Sequence, residues 1–276
     1  MRHQAEMLKG TDWNVLIVLD ACRADAFARR VPGAATVRSL GRCTRVWAPG
    51  LAEVTGRAPT LYATANPVLN RELQWKRSLG NFRWLNLWRH CWAPTGPHAL
   101  PTVPPEAVNR AVLGWVERHG QPRRLIVHYV QPHLPYVGRD GLPYADWGNC
   151  RRSEVARRLR RLKHPREAVA AGEIGLERVR AAYAGNLDLV LPHAFELAHR
   201  LAGTAVITAD HGELLGEECD GEPRFGHVAA PCPELMEVPW LEVPGPEFVP
   251  ARLPEAVDLA EEDETVRDRL EALGYA

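Results

Sequence analysis

Residues 14–19 read Asn-Val-Leu-Ile-Val-Leu, an unbroken aliphatic and β-branched run that stops at Asp20 and gives way to ACRADAFARR. A run with no polar alternation has no side to offer to water, so it fits a strand covered on both faces. A helical pattern directly after it fits the strand-to-helix step of a parallel sheet. Shorter runs of strand character follow at residues 60–64 (TLYAT), 125–130 (LIVHYV), 204–208 (TAVIT) and 238–243 (VPWLEV). Between them, residues 105–119 form a helical pattern that opens on proline, and residues 176–201 form a long amphipathic one ended by Gly203. Pro192 predicts a kink or a break in the second helix. Strands alternating with helices predict an α/β fold, a mostly parallel sheet sandwiched between helices. With no repeat and no Gly/Ser linker, residues 1–276 are expected to form a single domain. Residues 140–150 and 212–233 show no clear period and read as long loops, the first carrying aromatics and the second acids and a histidine.

Charge excludes little globally: Lys plus Arg and Asp plus Glu are both 34, so no overall field selects nucleic acid or an anionic membrane. A basic run at residues 151–161 and an acidic one at 255–264 read as solvated helix faces. Residues 1–11 carry charges and no apolar core of signal-peptide length, and no stretch approaches the roughly 20 apolar residues of a membrane span. A cytoplasmic protein with no integral membrane segment is the expectation. Six scattered cysteines without a C-x-x-C pair fit reduced thiols.

In open α/β sheets ligands gather at the carboxyl ends of strands. Here those ends carry Asp20, Asn66-Pro67, Gln131-Pro132-His133 and Ala209-Asp210-His211-Gly212. A strand-end Asp is commonly a cap and a single His commonly structural, but Asp20, Asp210 and His211 together are an oxygen, oxygen, nitrogen set suited to zinc or manganese.

The ordered motifs resemble the alkaline phosphatase and sulfatase superfamily. VLIVLDACRAD resembles its first strand and metal aspartate, VITADHGELLGE followed by FGH its second metal motif, and VHYVQPHLPY its substrate-side histidine segment. The string D-H-G-E-x-L-G-E with a later histidine is similar to that of phosphoethanolamine transferases, which His227 would match. VRDRLEALGY near the C-terminus resembles the tail of archaeal and bacterial sulfatase-like proteins. The resemblance implies an alkaline phosphatase-like fold and a nucleophilic Thr, Ser or modified Cys. It places that residue in SLGRCTRVW, residues 39–47, at Thr44, with Cys43 and Thr55 as fallbacks. A metal would convert the poorly nucleophilic alcohol into a reactive one.

Two departures bear on substrate. Sulfatases begin with paired aspartates and carry C-x-P-x-R, whose cysteine matures to formylglycine. Here Ala21 follows Asp20 and no cysteine lies in that motif, which sets phosphate esters ahead of sulfate esters. Cys22 reads as packing. Arg23 is either an anion clamp for a phosphoryl group or a helix-surface residue, and Asp25 reads as structural. In the tryptophan-rich residues 75–92, Trp84 and Trp88 share a helical face and predict a core stripe ahead of a nucleic-acid, membrane or sugar surface.

The sequence thus predicts a hydrolase or transferase of phosphate esters, with a metal-bound Thr44 as nucleophile and one or two zinc or manganese ions. Asp20, Asp210, His211 and His227 would be the metal ligands, and Arg23 and His133 would assist catalysis. The expected partner is a small-molecule, glycan or lipid ester and not nucleic acid; oligomeric state is left open. The rival is a non-catalytic protein of the same fold that recognises an anionic glycan or lipid headgroup. A haloacid-dehalogenase-type phosphatase ranks last, because Cys22 stands where its second aspartate belongs.

Overall fold

The computed structural model describes residues 1–56, 58–69, 79, 81–145, 162–219, 222–227 and 232–254, with the backbone alone for residues 219 and 222. Strands β1 (Val15–Leu19), β2 (Ala35–Arg38), β3 (Thr60–Thr64), β4 (Phe82–Asn86), β7 (Leu125–Tyr129), β8 (Thr204–Thr208) and β11 (Glu237–Pro244) form one seven-stranded sheet in the order β2-β11-β8-β1-β7-β3-β4. β1 lies centrally, with Ile17 level with Val127 on one side and Ile207 on the other. Every residue of β1, β3 and β7 is buried, as expected of parallel strands covered on both faces. Only β11 runs against its neighbours, β8 and β2. The carboxyl ends of β8, β1, β7 and β3 therefore meet along one edge, four strands side by side.

Helices α1 (Gln4–Gly10), α2 (Ala24–Ala28), α3 (Thr44–Thr55), α4 (Pro105–His119), α5 (Pro165–Ala170), α6 (Leu176–Arg200) and α7 (Pro233–Met236) complete the fold. Helix α6 packs against β1, β8 and β11, α4 against α6 and β7, and α1 against α3. Among the described residues no helix is long and apolar enough to cross a membrane, and Cys22 and Cys43 are free thiols.

Three local expectations are corrected. Helix α6 runs unbroken through Pro192, so the chain is not split there. The proline is exposed while Val190, Leu191 and Ala194 around it are buried, so the carbonyl it frees faces water and packing holds the helix on both sides. Trp84 lies on strand β4, not on a helix, and a 3-10 turn, Leu87–Arg89, carries Trp88. The core reading survives on a two-residue period: Phe82 and Trp84 both meet Tyr62, and Trp84 stacks on it with ring centroids 4.7 Å apart. Residues 212–233 contain a hairpin, β9 (Leu214–Cys219) with β10 (Glu222–Gly226). A register shift at Arg224/Phe225 and a positive φ of 91° at Gly216 break the alternation that would have announced it. The short antiparallel pair β5 (Ala93–Thr95) and β6 (Leu100–Thr102) lies apart from the main sheet. Trp75, the two charge runs and the C-terminal motif lie outside the described residues.

Candidate functional site

Asp20 follows β1 and Asp210 lies just beyond β8, so adjacent strands deliver two buried carboxylates to one point. Ala21 turns the chain there with φ 59°, a left-handed conformation uncommon outside glycine. Two hydrogen bonds offset that strain: its N–H donates to Asp210 Oδ1 at 3.1 Å, and its carbonyl accepts from the Tyr183 hydroxyl at 2.8 Å. His211 Nδ1 lies 2.8 Å from the Gly212 carbonyl, which can only accept. Nδ1 therefore carries the proton, and the Nε2 lone pair faces Asp210 Oδ2 at 3.3 Å and Asp20 Oδ1 at 3.6 Å. Gly212 is required by space, since a Cβ there would fall 1.9 Å from the Glu234 carbonyl oxygen.

Thr44 is the first residue of α3, and its hydroxyl donates to Asp210 Oδ2 at 2.7 Å, with His211 Nε2 at 3.5 Å. The loop before α3 is fastened by Ser39, whose hydroxyl reaches the Asp210 carbonyl. Asn66, beyond β3, donates from Nδ2 to Asp20 Oδ2 at 2.5 Å and to Thr44 Oγ1 at 3.3 Å, while its Oδ1 accepts from the Val68 N–H. From β7, His128 holds Nδ1 2.8 Å from the Tyr62 hydroxyl and directs Nε2 at Asp210 Oδ2 (3.7 Å) and Asp20 Oδ2 (3.9 Å). Asp20, His128 and Asp210 have the spacing of a cation site. Asp20 Oδ1 and His128 Nε2 are buried without a hydrogen-bond partner, which a native interior rarely tolerates.

The charges pull these groups apart. Burial, then the charges of Asp210 and Glu213, raises Asp20 well above the usual carboxylate range, against the Asn66 hydrogen bond. Burial also pushes Asp210 up, but His211, His128 and the Thr44 hydroxyl outweigh it and hold the carboxyl below its ordinary value. Burial lowers His128 to about 4 and lowers His211 against the pull of Asp210, so both imidazoles are neutral donors of a lone pair at neutral pH.

A second group adjoins the first. Glu213 is buried, with His133 Nε2 3.8 Å from its Oε2 and His227 Nδ1 3.8 Å from its Oε1. These three also have cation-site spacing. The His227 ring is 4.6 Å from that of His211 and 5.5 Å from that of His133, measured between centroids, so the two groups are contiguous. Burial pushes the Glu213 carboxyl up, but His227 and His133 prevail and hold it below its ordinary value.

The structure therefore brings Asp20, Thr44, Asp210 and His211 together, with His133 and His227 on the adjoining rim. Arg23 stands apart. Its Nε and Nη2 donate to the two oxygens of Asp25, and Nη1 donates to Glu217 Oε1 and the Glu213 carbonyl, so carboxylates engage it where a clamp would need them displaced. Thr55 turns its hydroxyl back to the Leu51 carbonyl on its own helix. Cys22 is fully buried, and burial pushes its thiol up. Sequence reasoning passed over His128, Glu213 and the contacts of Asn66. A histidine inside an otherwise apolar strand was the available signal for the first, and the acid following D-H-G for the second.

No protein-family model matches the chain, and no curated protein matches it. Solved structures do. The soluble domain of lipooligosaccharide phosphoethanolamine transferase A from Neisseria meningitidis superposes with a TM-score of 0.53 at 13% identity, covering 83% of this chain and 75% of that one. The integral membrane protein of that name gives 0.49 at 14% identity and 85% of this chain, which spans about half (48%) of its length. The phosphonate monoester hydrolase of Agrobacterium radiobacter gives 0.45 at 15% identity, covering 85% of this chain and 68% of that one. At such identities the likeness speaks for architecture, and the chain has the fold of the alkaline phosphatase and sulfatase superfamily, the one its ordered motifs resemble.

Proposed function

We propose that this chain is a metal-dependent hydrolase or transferase of phosphate esters, with sulfate esters second, and that Thr44 is its nucleophile. The observation that carries the reading is the Thr44 hydroxyl 2.7 Å from Asp210 Oδ2, inside a buried ring of donors that includes the unpartnered Asp20 Oδ1 and His128 Nε2. Those donors suit a borderline cation: carboxylate oxygens from Asp20 and Asp210 and neutral imidazoles from His211 and His128. A zinc or manganese ion held there would supply Lewis acidity to the transferring group and lower the pKa of the Thr44 hydroxyl.

The protein groups divide the remaining work. Asp210 orients the Thr44 hydroxyl by accepting its hydrogen bond and would take its proton as Oγ1 attacks. Attack forms the Oγ1–P bond and breaks the bond to the leaving oxygen, which needs a proton. His133 and His227, beside Glu213 at the rim, would donate it or hold the non-reacting oxygens. With Glu213 they also offer a second cation site. Asn66, bridging Asp20 and Thr44, fixes the distance between ligand and nucleophile. Arg23 closes the wall beneath the rim through Glu217 and the Glu213 carbonyl. A phospho-threonine would then pass its group to water or to a second alcohol, such as one on a glycan or lipid.

The second reading, a binding protein of the same fold, would gain from the lack of a second acidic ligand set, and the buried Glu213 between two histidines weighs against it. Metal analysis of the purified protein, with a screen of nitrophenyl phosphate, phosphonate, diester and sulfate, tests both. Stoichiometric zinc or manganese with ester turnover is expected. Anion binding without turnover in the metal-loaded protein would refute the enzyme.

A further inference from the structure

Thr44 and Asp210 belong to separate elements, helix α3 and the segment after β8, and their spacing has to be set by something that touches both. Gln4, the first residue of α1, is fully buried. Its Nε2 donates to Thr208 Oγ1 at 3.0 Å and to the Ala209 carbonyl at 2.9 Å. Its Oε1 accepts from the Leu40 N–H at 3.2 Å and from the Trp47 indole N–H at 2.8 Å. Both donors and both lone pairs of the amide are thus used. Ala209 immediately precedes Asp210, Leu40 lies in the loop entering α3, and Trp47 sits one turn beyond Thr44. The Trp47 ring in turn meets His128 edge-on, centroids 6.0 Å apart.

We infer that Gln4 is a positioning residue of this centre, a spacer that fixes the nucleophile-bearing helix against the strand end bearing Asp210 and His211. The inference rests on the reading of Thr44 given above. An amide held on both sides in a dry interior cannot shift without leaving buried polar groups unpaired, so it transmits one fixed distance. Ser39 adds a parallel tie to the Asp210 carbonyl, but Gln4 also orients Trp47 against His128.

Gln4→Met keeps length and volume and removes all four hydrogen bonds. In the full chain loaded with zinc, kcat is expected to fall about tenfold or more, KM to stay within about twofold, and the zinc dissociation constant, read by titration of the metal alone, to weaken about tenfold, the range seen when supporting residues around a metal are lost. Gln4→Glu retains the acceptors for Leu40 and Trp47 and should fall between wild type and Gln4→Met. Asn109→Ala is the control: its buried amide bonds Glu196, the His193 carbonyl and the hydroxyl of Tyr129, whose side chain leaves β7 on the face opposite His128. It should lower the thermal midpoint with kcat unchanged. If Gln4→Met lowers the midpoint as the control does while kcat and zinc affinity stay at wild type, the inference is overturned. If Gln4→Met does not fold, Trp47→Phe removes the indole donor with little change in packing, and unchanged kcat and zinc affinity there overturn it equally. A wild type that binds zinc but turns over no ester refutes the Thr44 reading instead, leaving Gln4 to be judged on zinc affinity. A wild type that binds no zinc overturns both.

Discussion

Asp20, His128, Asp210 and His211 have side chains at most 3% exposed, while His133 and His227 are 13% and 30% exposed around Glu213 at 4%. Both groups combine carboxylate with imidazole, yet their surroundings assign them different work. The inner group rises from the ends of adjacent strands and is held by backbone N–H groups, Asn66 and Ser39, so its geometry is rigid and its lone pairs are desolvated. The rim group has its acid buried and its bases opening outward, as the proposed proton donors to an ester would need. On the proposed reading, depth separates the residues that would hold the metal from those that would meet the ester.

The strongest way to break that comparison is to remove one member of the inner group. Asp210→Ala and His211→Ala are expected to lose stoichiometric metal, measured by plasma emission, and with it ester turnover. Thr44→Ala should retain the metal and still lose turnover by several powers of ten, because the covalent route is gone while the pocket remains. Thr44→Ser keeps the hydroxyl and should keep partial activity. Full activity in Thr44→Ala would exclude the assignment of the nucleophile.

At the rim the expected effects are smaller. His227→Ala and His133→Ala should each cost about 10- to 100-fold in turnover, with the inner metal retained. Loss of all bound metal in either variant would erase the distinction between the two groups.

Burial itself can be tested through pH. The His128 imidazole is held at about 4, below its ordinary 6.5. Between those values the unfolded chain binds a proton that the folded chain refuses. Stability is therefore lost as pH falls through that window and regained as it rises. In metal-free protein, His128→Gln should remove this share of the slope, at most about 3 kcal/mol between pH 6.5 and 4. Identical slopes in the two chemical-denaturation series would count against a neutral, desolvated His128.

Much of this organisation is legible in the chain. Strands β1, β3, β7 and β8 are short apolar runs whose length and β-branched content favour a buried strand, and the residues that end them mark the site edge. What stayed hidden depends on neighbours distant in sequence. β4 was read on a helical period because FRWLN gains its strand character from pairing with β3, and the β9–β10 hairpin is masked by its bulge and Gly216. His128 looked like a member of a core strand because it is one; only the placement of Asp20 and Asp210 gives its Nε2 a use. Arg23 could be read two ways because Glu217, its partner, is 194 residues away.

The smallest expected effects fall on the fallback nucleophiles. Thr55 lies eleven residues beyond Thr44 on the same helix, about 16 Å along its axis, and gives its hydroxyl to the Leu51 carbonyl at 2.9 Å. Thr55→Val should therefore leave turnover and metal content unchanged. Cys43 is the more searching case. It caps α3 next to Thr44, is only half-buried, and a thiolate there would repel the Asp20 carboxylate. Its sulfur makes no side-chain capping bond, so Cys43→Ser replaces it without breaking a tie to the helix. Turnover within about threefold of wild type is expected, since neither the covalent route nor a metal ligand changes. Should Cys43→Ser abolish turnover while Thr44→Ala spares it, the nucleophile moves by one residue and the inner group keeps its ligands. Should both variants remain active, Oγ1 of Thr44 serves only to orient Asp210, and the attacking group is neither Thr44 nor Cys43 while the inner group keeps its ligands.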